Sequence, residues 1–234
     1  MNQDDFSLRT EGLSKQWGSF KANSDISLHF TPGSRHALIG PNGAGKTTFI
    51  NLLTGAFAPT SGKVFFGGED ITRLSQHARV RRGMTRTFQI NTLFAGLTVL
   101  ASVVLAIGER RGRGYRWYRT VDSQHDIVEE AMALLDTLGL AREADRITSS
   151  LAYGKQRLVE IALALATKPR VLLLDEPAAG IPSGESQELF GVLAQLPRDV
   201  TVLFIEHDMG LVFRFAERIT VLVGGTVLTE GTPA

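Results

Sequence analysis

Apolar positions along the chain change period several times, and each change predicts an element. Ile26, Leu28 and Phe30 alternate with polar residues, the pattern of a half-buried strand. Pro32-Gly33 marks the turn after it. Residues 36–39 form a short apolar strand that runs into a glycine-rich loop, 47–55 predict a helix and 63–66 a further strand. Helices are expected over 98–107, 126–138 and 156–166; in the last, Leu158, Ile161, Ala162 and Leu165 share one face at helical spacing. Val171-Leu172-Leu173-Leu174 is a solid aliphatic run, typical of a strand buried on both faces. A helix over 185–196, a buried strand over 200–205 and a short helix over 209–216 follow. Strands at 219–223 and 227–229 flank Gly224-Gly225, a hairpin signal. Strands and helices therefore alternate at both ends around a mostly helical block, which predicts an α/β core with a parallel sheet and a helical insertion. The expected division is 1–89 plus 166–234 for the core and 90–165 for the helical part, with 108–114 as a flexible loop.

Composition narrows the class. At 234 residues and 43% hydrophobic, the chain can bury a sizeable core and suits one domain with a small appended lobe. The absence of cysteine excludes a disulfide scaffold, an iron–sulfur site and a thiol nucleophile. A net charge of +1 gives no global case for nucleic acid binding. The opening residues carry no basic run followed by an apolar stretch, so no secretory signal is expected. The most apolar stretch, 97–107, is well short of the roughly 20 residues that a membrane-spanning helix needs. Charge is nevertheless uneven: between Arg79 and Arg119 stand nine arginines and one acid, Glu109. Such a stretch predicts either a solvated loop or a surface that meets something anionic.

Two motifs carry chemistry. Gly40-Pro41-Asn42-Gly43-Ala44-Gly45-Lys46-Thr47 fits the phosphate-loop pattern G-x-x-x-x-G-K-[ST], after a strand and before a helix. Gly43 and Gly45 let successive backbone N–H groups turn inward on phosphate oxygens, and the helix start adds its positive dipole end. Lys46 sets a point charge against the β- and γ-phosphates, the Thr47 hydroxyl ligates Mg²⁺, and Thr48 completes the nucleotide-facing set. Asp175-Glu176 ends the aliphatic run, where open α/β sheets bind their ligands. Asp175 is expected to hold Mg²⁺ through its water shell and Glu176 to activate the attacking water.

With these residues the sequence resembles the nucleotide-binding subunit of ATP-binding cassette transporters over nearly its whole length. Thr87-Phe88-Gln89 looks like the family's Q-loop, Leu151-Ala152-Tyr153-Gly154-Lys155-Gln156-Arg157 like its signature, and Ile205-Glu206-His207-Asp208 like its switch region. Trp17 takes the place of the aromatic that stacks on adenine, with Phe20 a nearby rival. The resemblance implies a P-loop NTPase with a mostly parallel core sheet, an N-terminal antiparallel β portion and an inserted helical subdomain. It also implies ATP and Mg²⁺ as ligands, with Gln89 at the metal and His207 beside the γ-phosphate. Residues Ala152, Tyr153, Gly154, Lys155 and Gln156 would touch the ATP of a second ATPase subunit in a head-to-tail dimer. That dimer drives transmembrane permease subunits, and indirectly serves a substrate-binding protein, from the cytoplasmic face of the inner membrane. The basic stretch would lie near the permease and anionic lipid headgroups.

Departures point to a branch. Ala152 and Tyr153 replace the serine and first glycine of Leu-Ser-Gly-Gly-Gln, and Pro182 stands where an aspartate is common. Leu-Ala-Tyr-Gly, Asp-Glu-Pro-Ala-Ala-Gly and Ile205-Glu206-His207-Asp208-Met209 together look like the branched-chain amino acid importer ATPases, which commonly pair two different ATPase subunits. Two other readings remain at this stage. A nucleic-acid-associated ATPase of the same superfamily has only the arginine stretch in its favour; the partner expectation is therefore no nucleic acid. A P-loop kinase would need an acceptor pocket and has no use for the signature or His207.

Overall fold

The structure, a computed structural model, describes residues 6–87, 96–112 and 125–233. In chain order the elements are β1 (Leu8–Trp17), β2 (Phe20–Ile26), β3 (His29–Phe30), β4 (Arg35–Ile39), α1 (Lys46–Thr54), β5 (Ser61–Phe66), β6 (Glu69–Asp70), α2 (Gln76–Arg81) and β7 (Met84–Arg86). Then come α3 (Val99–Arg110), α4 (His125–Thr137), α5 (Tyr153–Ala166), β8 (Val171–Asp175), α6 (Ser183–Ala194), β9 (Thr201–Ile205), α7 (Met209–Phe215), β10 (Arg218–Val223) and β11 (Thr226–Gly231). They fall into two units: Met1–Arg86 with Arg170–Pro177 and Leu196–Ala234, and Thr87–Pro169 with Ala178–Gln195.

The first unit holds both sheets. One has the order β11-β10-β4-β9-β8-β7 and is parallel except for the β10–β11 hairpin around Gly224-Gly225. The other is antiparallel, β2-β1-β5-β6, with β3 also paired to β1. The alternation at Ile26, Leu28 and Phe30 does place all three inside, but the strand is broken between Ile26 and His29. Thr10 explains the break: its hydroxyl donates to Ile26 O and accepts from Leu28 N, both at 3.0 Å, standing in for the ladder there. One apolar cluster joins the sheets, with Phe30, Leu38, Phe49, Leu53, Val64, Leu173 and Leu203 all buried in it. In β4, His36 is fully buried, its Nε2 2.7 Å from Thr220 Oγ1, and burial pushes its pKa down to about 4. That histidine stays neutral and structural at physiological pH.

Much of the arginine-rich stretch turns inward. Arg79 is almost wholly buried and donates to the carbonyls of Leu52, Leu53, Thr72 and Leu74, so it satisfies the C-terminal end of α1. Arg82 makes two 2.8 Å bonds to Glu69, and Arg86 pairs with Asp175. Arg110 and Arg111 pair with Glu130, and Arg111 also with Asp126. These five side chains are engaged within the chain, which removes most of the basis for an anion-facing surface over 79–111. Arg113, Arg116 and Arg119 lie outside the described residues.

The second unit is helical. Thr98 caps α3, its hydroxyl accepting from Ala101 N at 3.1 Å. The helix continues through Gly108 to Arg110, so the loop expected over 108–114 begins later than its glycines suggest. The single apolar face expected on α5 is too narrow. Leu158 and Leu165 are only half-buried, whereas Gly154, Val159, Glu160, Ile161, Ala162, Ala164 and Ala166 are buried, so the helix is packed on several sides. Residues 178–195, expected in the core, group with this unit. The reason is close packing of α6 on α5: a Cβ on Gly154 would come within 2.4 Å of Glu185 Oε2.

Candidate functional site

The phosphate loop connects Ile39, the last residue of β4, to Lys46, the first of α1. Two neighbouring segments hold it. Ala44 O accepts from Gly225 N in the β10–β11 turn at 3.1 Å, and Gly45 O accepts from Asn23 Nδ2 of β2 at 3.2 Å. Gly45 has a φ of 94°, and a Cβ there would meet Ala22 O at 2.3 Å, so glycine is required on both counts. Phe49 N bonds Gly45 O at 2.8 Å, which starts the helix directly under the loop. Gly40, Asn42, Gly43, Gly45, Thr47 and Thr48 are all at least partly open to solvent, while Ala44 is buried as a packing contact. Lys46 is buried too, and its Nζ donates to Gly40 O at 2.7 Å and Pro41 O at 3.1 Å. Burial lowers its pKa, while the nearby Glu176 and Asp175 act in the opposite direction. A glycine-rich loop that opens a helix and holds a buried ammonium suits a polyphosphate.

The carboxylates stand at the end of β8. Asp175 Oδ2 accepts from Arg86 at 2.7 Å. Burial raises the Asp175 pKa, with the Arg86 guanidinium pulling it back and the Glu176 charge pushing it up. Glu176 follows with a φ of 49°, a left-handed conformation that costs a non-glycine residue on the order of 1–3 kcal/mol. Its backbone N–H donates to Ile205 O at 3.0 Å, which ties that conformation to β9. The strained turn brings Glu176 Oε1 to 2.8 Å from His207 Nε2. His207 is held in turn by its own chain: its N–H donates to Glu206 Oε2 at 3.1 Å, and Asp208 caps α7 through Gly210 N and Leu211 N. The parallel sheet thus places Lys46, Asp175, Glu176 and His207 at the carboxyl ends of three neighbouring strands, β4, β8 and β9.

Trp17 lies at the end of β1, is 44% exposed and packs edge-on against Phe57 at 5.4 Å between ring centres. Phe20 opens β2 and is more exposed still. Gln89 lies outside the described residues.

The signature residues belong to the helical unit. Ala152 precedes α5 and its side chain caps no amide, as expected of a residue without a hydroxyl. Tyr153, half-exposed, stacks under Arg157 at 5.5 Å and lies beside Gly180. Gly154 is buried against Glu185, Lys155 is paired with Glu143, and Gln156 Nε2 donates to Leu151 O at 2.8 Å. Lys155 and Gln156 are thereby engaged inside their own unit; Ala152, Tyr153 and Lys155 are the exposed residues of the motif.

Three residues of the site escaped sequence reasoning. Arg86 bridges Asp175 and Asn51, at 2.7 and 2.6 Å, and Asn23 clamps the phosphate loop. Arg86 was legible only as part of the basic stretch. Asn51 had one available signal, its position four residues after Thr47 on the same helix face.

Known proteins resemble this chain along most of its length. The family model for the ABC transporter matches residues 23–179. The high-affinity branched-chain amino acid transport ATP-binding protein BraF of Pseudomonas aeruginosa is 38% identical over 97% of this chain and 91% of its own. The solved ADP conformation of MJ1267, an ATP-binding cassette of an ABC transporter, is 33% identical, with a TM-score of 0.85 over 97% of this chain and 91% of that one. The dimeric post-hydrolysis structure of the cassette MJ0796, bound to ADP and Pi, is 26% identical with a TM-score of 0.79, covering 97% and 99%. By sequence, by fold and by the phosphate loop at the head of α1, the chain belongs to the ABC transporter family, as an ATP-binding and ATP-hydrolysing subunit.

Proposed function

We propose that this subunit energises an importer for branched-chain or chemically related amino acids. It works as one of two cassettes, paired head to tail with a sister subunit or a second copy. The pair drives permease subunits from the cytoplasmic face of the inner membrane, with a substrate-binding protein delivering the solute. The observation that carries this reading is the separation of the catalytic groups. The phosphate loop, Asp175, Glu176 and His207 belong to one unit, and the uncapped start of α5 belongs to the other. A second cassette offering that helix start, with the backbone amides of Ala152, Tyr153 and Gly154, encloses the γ-phosphate. BraF's transport of branched-chain amino acids and the dimeric state of MJ0796 support the reading. No helix among the described residues is long and apolar enough to cross a membrane.

The donor set fits Mg²⁺. Thr47, an exposed residue, offers a hydroxyl and Asp175 a carboxylate, two hard oxygens beside a phosphate loop, and Gln89 is assigned the third contact. When bound there, Mg²⁺ neutralises charge on the phosphate oxygens. Lys46 holds the β- and γ-phosphates. Glu176 accepts the proton of the attacking water, and His207 fixes the carboxylate for that task through its 2.8 Å contact. Trp17 stacks on the adenine.

Uptake of radiolabelled leucine, isoleucine and valine by cells lacking this subunit tests the solute class. Uptake is expected to fall to background and to return with the parent chain but not with Lys46→Ala. Unchanged uptake of all three amino acids would exclude them as the cargo.

A further inference from the structure

We propose that Arg86 is a positioning residue of the metal site: it fixes the Asp175 carboxylate and locks it to the helix that carries Thr47. The inference rests on the reading that Asp175 and Thr47 serve Mg²⁺. Three elements converge on one guanidinium. Arg86 ends β7, and its NH2 reaches Asp175 Oδ2 at the end of β8 at 2.7 Å. Its NH1 reaches Asn51 Oδ1 of α1 at 2.6 Å. Asn51 lies one helical turn after Thr47, so the two share a face of α1. The strand register makes the reach natural: β7 runs parallel to β8 with Arg86 opposite Leu173, two residues short of Asp175.

This pair differs from a surface ion pair in two respects. Arg86 and Asp175 side chains are 26% and 20% exposed, against 37% and 53% for Arg82 and Glu69, so solvent screens it less. The planar fork also reaches a partner on each side with two separate nitrogens; a lysine is shorter, has a single nitrogen and would hold the two partners less rigidly. The bond to Oδ2 sets the carboxylate rotamer and keeps a second oxygen available to a hydrated cation. Residues that orient a metal-binding group without touching the metal change metal affinity when removed.

The experiment titrates a fluorescent ATP analogue into the purified chain, in Mg²⁺ and in EDTA, for the parent, Arg86→Gln, Arg86→Lys, Asn51→Ala and Asp175→Asn. Expected for Arg86→Gln is an affinity in EDTA close to the parent's and a Mg²⁺-dependent gain reduced by about 10-fold or more. Arg86→Lys and Asn51→Ala are expected to fall between the two, the first keeping the charge without the rigid fork and the second keeping the arm to Asp175. A gain in Arg86→Gln equal to the parent's, or larger because the arginine competes with the cation, overturns the proposal. Equal loss in Mg²⁺ and EDTA also overturns it, by assigning Arg86 to general folding. Asp175→Asn separates the two levels: if it too keeps the full Mg²⁺ gain, the failure belongs to the metal-site reading itself.

Discussion

Lys46→Ala is expected to abolish tight nucleotide binding while the fold survives. Lys46 Nζ sits in the loop, donating to Gly40 O and Pro41 O, in a place where burial already works against its charge. Keeping an ammonium in such a place is costly unless an anion arrives to meet it. A hydrogen bond to a charged group contributes about 1.5–3 kcal/mol, so loss of the contacts to two phosphates weakens ATP binding by at least about 10²-fold. The two carbonyls it leaves lie on a partly solvated loop, and water takes them over. Isothermal titration with ATP, beside a thermal melt, checks both halves. Unchanged affinity in a folded variant would remove the phosphate loop from the nucleotide site.

Glu176→Gln separates binding from chemistry. The residue is held in a left-handed conformation by its N–H bond to Ile205 O, and glutamine has the same shape. Its amide keeps a hydrogen bond to His207 in place of the present 2.8 Å contact. The one property lost is the capacity to take a proton. ATP affinity is therefore retained and turnover falls by at least about 10²-fold, the usual contribution of a positioned general base. Phosphate release measured beside ATP binding gives the split. Near-normal turnover would mean that the proton goes elsewhere and that the strain at Glu176 has another use.

How much of this was readable in the sequence depends on the range of the interactions involved. The parallel core was legible because Val171-Leu172-Leu173-Leu174 and the apolar residues after His36 are buried on both faces, so their composition alone declares them. β1 was not, because Leu8, Thr10 and Leu13 are the buried positions in a strand otherwise polar and broken by register shifts against both neighbours. α5 was read too narrowly, since its small residues, Gly154, Ala162, Ala164 and Ala166, are buried by close approach rather than by an apolar stripe. The phosphate loop and Asp175-Glu176 were legible because each is a local motif. Arg86 was not, because its partners stand 35 and 89 residues away and nothing local distinguishes it from Arg82. Arg79 is hard to read for the same reason: it looks like surface charge and instead donates to Leu52 O and Leu53 O, 27 and 26 residues away, besides the nearby Thr72 O and Leu74 O.

A lone copy is expected to be unable to finish the reaction, because the proposed enclosure of the γ-phosphate takes the start of α5 from a neighbour. The specific rate of ATP hydrolysis, measured across dilutions of the purified chain, tests it directly. The rate per chain is expected to climb with concentration as second copies supply the missing helix start, and to vanish at high dilution. A rate per chain that stays constant down to the lowest dilution would contradict it.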